Sequence, residues 1–292
     1  MLAESLKQSL AESLDTPLVI KHIHPVSGGD IHQAWCLETN QGRLFLKVNH
    51  LGSAPLFQAE ADALNVIQQT QTLRCPKVIA QGQTDQQAWL LMDYLTLSTK
   101  GNDFVRGQQL AAMHRITHSQ FGWPTNNFIG HTYQQNRWHS NWVAFYREQR
   151  LMAQLDLAKQ QGAPARLITK GQDLCDQLER FFTHYQPRPS LLHGDLWGGN
   201  SAFDRQGNPV IYDPASYYGD RETDIAMTEL FGGFSQAFYQ GYNQAWSLDR
   251  GYAQRKDLYN LYHILNHFNL FAGHYAQQAE GLIDKLSMQK NL

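Results

Sequence analysis

Apolar positions along the chain follow two successive periods. Between residues 18 and 95 the runs are short, apolar or alternating, and bounded by turn residues. "LVIKHIHPV" (18–26), "IHQAWCLET" (31–39), "RLFLKV" (43–48), "PKVIAQG" (76–82) and "AWLLMDYL" (88–95) each read as a β-strand. "SGGD" (27–30) breaks the chain between the first two strands, and "NQG" (40–42) turns the second into the third. One helical stretch interrupts them, "APLFQAEADALNVIQQ" (54–69), with Leu56, Ala63 and Ile67 among its apolar positions. Ahead of the strands, Leu2, Leu6, Leu10 and Leu14 recur every four residues, the pattern of an amphipathic helix laying one stripe on the body.

Beyond residue 95 the spacing turns helical, in "FVRGQQLAAMHRI", "NRWHSNWVAFYREQRLMAQLDLAKQQG" and "LITKGQDLCDQLERFFTHY". The glycine-rich "HGDLWGGN" (193–200) interrupts it. A hairpin follows around "AFDRQGNPVIYD", turning at Gly207-Asn208, and helices run to the end. The expected class is α+β. A small antiparallel sheet lobe with one main helix spans residues 1–95, and a larger, mostly helical lobe spans 96–292.

Composition narrows the function classes. A 292-residue chain, 42% hydrophobic and 17% charged, can bury a large core. Its formal net charge of −2 gives no global pull toward nucleic acid or an anionic membrane, so an anionic ligand must be held by local groups. Cys36, Cys75 and Cys175 are far apart and form no CxxC, so neither a disulfide framework nor a cysteine zinc site is expected, and a reducing cytoplasm fits. The start of the chain lacks a basic segment followed by an apolar one, so no secretory signal is read there. No apolar run approaches a membrane span, and the 13 histidines form no HExxH.

Candidate chemistry centres on residues 193–213. In "HGDLWGGN" Asp195 and Asn200 stand five residues apart, and Asp213 ends the apolar run "VIYD" before a proline. Asn200 and Asp213 supply hard oxygens suited to Mg²⁺ on phosphates, while Asp195 is left to accept a proton. An Asp and an Asn at this spacing, with a metal-binding Asp after a short hairpin, form the protein-kinase set for phosphoryl transfer. Lys47 in the "LFLK" strand can reach phosphates, and Glu60 in the next helix can hold it. Gly28 and Gly29 would let backbone approach a phosphate closely. The backbone of Asp93, Tyr94 and Leu95 is placed to meet an adenine edge.

The stretches "SGGDIHQAW", "LFLKVN", "FQAEADAL", "NNFIG", "QQNRWHSNW", "PSLLHGDLWGGN", "DPASYYGDRETDIAMTELFGGF" and "LYHILNHFNLFAG" occur in this order over nearly the whole chain. They resemble the fructosamine kinase (ketosamine-3-kinase) family, a branch of the two-lobed protein-kinase-like fold related to aminoglycoside phosphotransferases and choline kinases. The resemblance implies ATP·Mg²⁺-dependent phosphorylation of the 3-hydroxyl of a ketosamine, the rearranged adduct of a sugar with an amine. The product decomposes and frees the amine, a deglycation role. By position Asp195 matches the proton acceptor, Asn200 and Asp213 the metal ligands, Lys47 with Glu60 the phosphate-anchoring pair, and residues 93–95 the adenine-binding segment. Some eukaryotic members carry a cysteine in the glycine-rich loop; here "SGGDI" has none, so no linked dimer is implied.

The acceptor side is less determined. Trp197 stands where many protein kinases have a lysine, and two readings stand side by side: stacking on the sugar or its amine substituent, or packing that holds the loop. Tyr217, Tyr218, Asp220, Arg221 and Glu222 are candidates for the pocket rim, with an acidic group there to pair the substrate's ammonium. Asp224 opens a helix and reads as a cap or an anchor of the catalytic loop. Trp138, Trp142, His263 and His267 read as core. A kinase for another small molecule, such as an aminoglycoside or choline, and a non-catalytic nucleotide-binding protein remain the alternatives. The choice among ribulosamine, erythrulosamine and fructosamine, free or on a protein lysine, stays open, as does the oligomeric state.

Overall fold

The computed structural model describes residues 2–14, 16–26 and 32–289. Its contacts divide the chain into two compact units, residues 1–102 with 201–214, and residues 103–200 with 215–292.

The first unit is built on a five-stranded antiparallel sheet in the order β1-β2-β3-β5-β4, where β1 is Ile20–Val26, β2 Gln33–Thr39, β3 Gly42–His50, β4 Val78–Gln83 and β5 Gln87–Asp93. Helix α1 (Glu4–Glu12) lays Leu6 and Leu10 against Leu37, Leu44, Leu46, Val48, Trp89 and Leu91, with Leu2 in the same cluster and Leu14 packed at its edge. The four-residue leucine spacing is thus spent on the sheet. Helix α2 (Ala54–Thr70) contributes Phe57, Ala61, Leu64 and Ile67 to the interior.

Strand β3 runs two residues past the expected end, to His50, because Asn49 and His50 continue the ladder with Ala88 and Gln87. Lys47 therefore lies inside the strand, opposite Ala34 and Leu90, and is buried. The contact division also differs from a boundary at residue 95. Ser98 and Phe203 exchange backbone hydrogen bonds of 2.7 and 2.9 Å, and Asn102 donates to the Gly207 carbonyl. These bonds tie residues 96–102 and the hairpin of Ser201–Phe203 with Pro209–Ile211 into the first unit.

The second unit is helical. It contains α3 (Asp103–His114), α4 (Trp142–Tyr146), a π-helical turn (Arg147–Met152), α5 (Ala153–Gln160), α6 (Ala165–Cys175), α7 (Glu222–Leu230), α8 (Gln236–Ala245), α9 (Tyr252–Phe271) and α10 (Tyr275–Met288). Helices α3 and α8 approach closely because each carries glycine at the crossing. A Cβ on Gly107 would meet the Phe238 carbonyl oxygen at 2.0 Å, and one on Gly241 the Phe104 carbonyl oxygen at 2.0 Å. Helix α9 is buried along most of its length. Among the described residues no helix is long and apolar enough to cross a membrane.

Trp142 and His263 are buried, as the helical pattern implied, while Trp138 and His267 are only half-buried. Burial, with His267 alongside, pushes the His263 imidazole down to about 3, and burial also holds His114 below its usual value. A histidine neutral in the fold but ordinary when unfolded makes the unfolded state bind more protons. Stability is therefore fully present above about pH 6.5 and falls as pH drops below it, by up to roughly 1.4 kcal/mol per pH unit for each group. Melting followed by circular dichroism from pH 7 to 5 is expected to show this fall, and His263→Gln a shallower one. Equal slopes for parent and variant would exclude His263 as a source.

Candidate active site

In the second unit the loop after the short strand Ser190–Leu191 is fixed from below by one carboxylate. Asp224, on the first turn of α7 and almost wholly buried, accepts the His193 N–H at 2.7 Å and the Gly194 N–H at 2.9 Å. Its Oδ2 also accepts from His114 Nε2 at 3.1 Å. Burial would raise Asp224, but the hydrogen bonds from His114 and the Gly194 N–H hold it below the usual carboxylate range. With His114 neutral, the contact is imidazole to carboxylate rather than an ion pair. The chain of bonds continues outward: Tyr242 Oη lies 2.8 Å from His114 Nδ1 and accepts from Arg221 Nη1 at 3.2 Å. That order assigns the His114 proton to Nε2.

Gly194 turns the loop with φ +86°, and a Cβ there would stand 2.1 Å from the Ala215 carbonyl oxygen. Gly194→Ala is expected to cost roughly 1–3 kcal/mol, since both the left-handed backbone and the facing carbonyl resist it. Chemical denaturation measures this, and an unchanged midpoint would mean that the loop yields.

Asp195 follows, its N–H directed at His193 Nδ1 at 3.3 Å. Asn200 Nδ2 donates to the Asp195 carbonyl at 2.9 Å and to Asp195 Oδ2 at 3.1 Å. The amide nitrogen thus faces Asp195, which assigns Oδ1 of Asn200 as the oxygen free to meet a cation. Between them Trp197 closes over Gly199, where a Cβ would come within 2.2 Å of the indole. The indole is 40% exposed and meets Phe231 edge-on at 6.3 Å. Phe231 in turn lies 4.9 Å from the His267 ring, and Phe271, next to His267, is exposed. These rings form an aromatic ridge on the side of the loop that carries Asp195.

The segment after Pro214 is anchored by the stretches "NNFIG" and "QQNRWHSNW", to which the sequence alone assigned no task. Asn127 Nδ2 donates to the Ser216 carbonyl at 2.7 Å and Gln134 Nε2 to the Ala215 carbonyl at 3.3 Å. Tyr262 Oη donates to Gln134 Oε1 at 2.6 Å, and Arg150 Nη2 to Asn136 Oδ1 at 2.7 Å. The signal was present, since amides crowded into an otherwise apolar stretch demand partners once buried.

In the first unit the structure brings Lys47, Glu60 and Asp213 together. Lys47 Nζ lies 2.7 Å from Glu60 Oε1 and 2.5 Å from Asp213 Oδ1. Burial alone would lower the lysine; Asp213 and Glu60 more than offset it and keep it protonated. Burial pushes the Glu60 carboxyl up to about 7; Lys47 pulls it down, and Asp213, competing for the same ammonium, adds to the rise. Asp213 is half-exposed and adopts φ +56°, uncommon for a residue with a side chain. Arg74 and Asp204 brace the hairpin that leads to it, with Nη1 2.5 Å from Oδ2.

The remaining expected residues divide. Asp93 ends β5; its N–H donates to the Lys77 carbonyl and that of Tyr94 to the Arg43 carbonyl, so those two donors are spent within the first unit. Gly28 and Gly29 lie outside the described residues. Four proposed rim residues are interior ones; one of them, Glu222, is wholly buried and accepts from Arg255. Tyr217 is buried under the Arg150 guanidinium, 4.0 Å from its ring centre. Asp220 is buried, accepting from the Tyr185 and Tyr259 hydroxyls and the Glu222 N–H. Arg221 donates to Tyr242 Oη and to the carbonyls of Trp246 and Ser247. Buried and bonded to other segments of the fold, they are not exposed residues of a pocket rim beside Asp195.

The sequence profile described as fructosamine kinase matches residues 2–289. A Vibrio parahaemolyticus protein named by inference as a ketoamine kinase is 42% identical over 287 residues, covering 97% of this chain and 98% of its own. The chloroplastic protein-ribulosamine 3-kinase of Arabidopsis thaliana is 38% identical over 269 residues, 91% of this chain and 82% of its own. The crystal structure of a Haemophilus somnus protein named by inference as a fructosamine-3-kinase superposes with TM-score 0.88 at 30% identity, covering 97% of each chain. The fold itself reaches further, to an aminoglycoside phosphotransferase at TM-score 0.62 and 15% identity, with 98% of each chain covered. The fold is thus kinase-like, and the chain belongs to the fructosamine kinase family.

Proposed function

We propose that this protein is an ATP-dependent kinase that phosphorylates the 3-hydroxyl of a ketosamine. The observation that carries the reading is Asp195 held by the Asn200 amide on a loop whose backbone is clamped by Asp224. A carboxylate presented on such a rigid turn suits a positioned base. The acceptor hydroxyl oxygen forms a bond to the γ-phosphorus, the bond from that phosphorus to the β-bridging oxygen breaks, ADP leaves, and the hydroxyl proton passes to Asp195. Lys47, kept charged between Glu60 and Asp213, is the cation for the nucleotide phosphates. The carbonyl of Asp93 and the N–H of Leu95 are proposed to meet the adenine edge.

The oxygens of Asn200 and Asp213 are the proposed ligands of Mg²⁺. Both are hard donors, and the amide orientation of Asn200 leaves its oxygen outward, so the donor set fits. When bound, the ion neutralises charge on the phosphates. Trp197 takes the acceptor's sugar or amine substituent, because an indole 40% exposed beside the base is surface that the fold leaves open. The relatives' names, ketoamine kinase and protein-ribulosamine 3-kinase, support this acceptor class. The three free cysteines are all buried, which fits the reducing compartment expected from the sequence.

The test is turnover with ATP on ribulosamine, erythrulosamine and fructosamine of lysine, beside an aminoglycoside and choline. Turnover confined to the amine–sugar adducts is expected. Turnover on an aminoglycoside or choline alone, or none with any acceptor, would overturn the reading. Trp197→Ala is expected to raise KM for the adduct about fivefold or more, given base-side stacking worth ~1 kcal/mol or above, while KM for ATP stays put.

A further inference from the structure

A cavity of about 140 Å³ in the second unit is lined by Tyr185, Gln186, Arg188, Ser190, Arg221 and Trp246. A single water needs roughly 10–15 Å³ by the same kind of measure, so the cavity admits a polyatomic guest. It lies at the start of the short strand Ser190–Leu191, whose far end leads into the catalytic loop.

Three features of the lining point to an anion. Arg221 is 6% exposed, yet its terminal nitrogens meet only uncharged acceptors, the Tyr242 hydroxyl and the carbonyls of Trp246 and Ser247. Its guanidinium also stacks on Trp246 at 4.0 Å. A buried cation ordinarily has a carboxylate against it, and among the described residues none lies within ion-pair distance of Arg221. Its sequence neighbours Asp220 and Glu222 act on it only through space, and Asp220 is already met by two tyrosine hydroxyls and a backbone N–H. Arg188 brings a second guanidinium, exposed at the cavity mouth. Ser190 is wholly buried, and its Oγ has no hydrogen-bond partner. Two guanidiniums, with an unpartnered hydroxyl buried in the wall beside them, are donors that suit a tetrahedral oxyanion.

We propose that this cavity is a binding site for inorganic phosphate, held by Arg188, Arg221 and Ser190 and separate from the residues assigned to nucleotide and acceptor. Arg221 also begins the bonded chain through Tyr242 and His114 to Asp224, so the cavity and the catalytic loop share one hydrogen-bonded frame.

The experiment is thermal unfolding of the full chain in increasing inorganic phosphate, against chloride at matched ionic strength. It compares the parent with Arg188→Gln, Ser190→Ala and Lys47→Met. Arg188 is exposed, so its variant folds, and Ser190→Ala removes only an unmet hydroxyl. A saturable rise in Tm of about 2–4 °C is expected in the parent and in Lys47→Met. It should be absent in Arg188→Gln and weakened in Ser190→Ala. A rise that does not saturate would reduce the effect to ionic strength and overturn the site. So would a rise lost in Lys47→Met but kept in Arg188→Gln, which would place the phosphate among the nucleotide-binding residues. No rise at all refutes it outright. Calorimetric titration with phosphate on the same four proteins gives the same decision without heating.

Discussion

Asp195→Asn is expected to lower turnover at least ~10²-fold, within the range a positioned base contributes, with nucleotide affinity and thermal stability close to the parent. The substitution keeps the shape of the side chain. The Asn200 amide can still donate to an oxygen at position 195, and its second bond, to the backbone carbonyl of residue 195, is untouched. What disappears is the ability to take a proton from the acceptor hydroxyl. The groups proposed for the phosphates, Lys47 and Glu60, hold each other at 2.7 Å without any part played by Asp195. The loss should therefore fall on kcat and leave KM for ATP in place. Steady-state kinetics on the best ketosamine, with calorimetric titration of a non-hydrolysable ATP analogue, separates the two. Near-parental kcat would remove Asp195 from the base role. Loss of nucleotide binding together with activity would mean that Asp195 serves the nucleotide instead.

Much of the fold was legible because period-two strands and period-four leucines leave plain marks, and each expected strand of the first unit is present. The limits came where a residue's meaning depends on distant partners. A lysine in an apolar strand reads as a possible phosphate anchor; that it also meets Asp213, 166 positions away, is not written locally. Tyr217, Asp220 and Arg221 read as a pocket rim because they are polar and follow the metal-ligand candidate. Their partners, Arg150, Tyr185, Tyr259, Tyr242, Trp246 and Ser247, come from other segments, and only those contacts turn them inward. Burial with a full set of partners makes a polar residue structural, and the local pattern carries neither fact. Asp224 was readable as a cap or as an anchor, and its contacts select the anchor: it accepts from the loop, while the first N–H of α7 is taken by Asp220. The boundary between units moved because backbone bonds between Ser98 and Phe203 join segments a hundred residues apart.

Asp224→Asn puts that anchoring role to the test. The carboxylate offers acceptors on both oxygens: Oδ2 to the His193 N–H and to His114, Oδ1 to the Gly194 N–H. An amide has one oxygen. Either orientation sets its NH₂ group against a backbone N–H of the loop, in a place almost sealed from water. Each buried donor left unmet costs about 1–3 kcal/mol, and removing the charge from a buried, hydrogen-bonded partner set raises the total to on the order of 3–5 kcal/mol. Denaturant unfolding should show that loss. Relief of the clash also shifts the loop, and a displacement near 1 Å at a reacting group can lower turnover by on the order of 10²-fold. Activity assayed well below the melting temperature should fall accordingly, with KM for ATP little changed. His114→Phe supplies the comparison. It removes one donor from Asp224 but leaves both loop N–H groups held, so its stability loss should be smaller and most of its turnover kept. A fully active Asp224→Asn would show that the catalytic loop holds its own shape; equal losses in the two variants would move the anchor from Asp224 to the His114 packing around it.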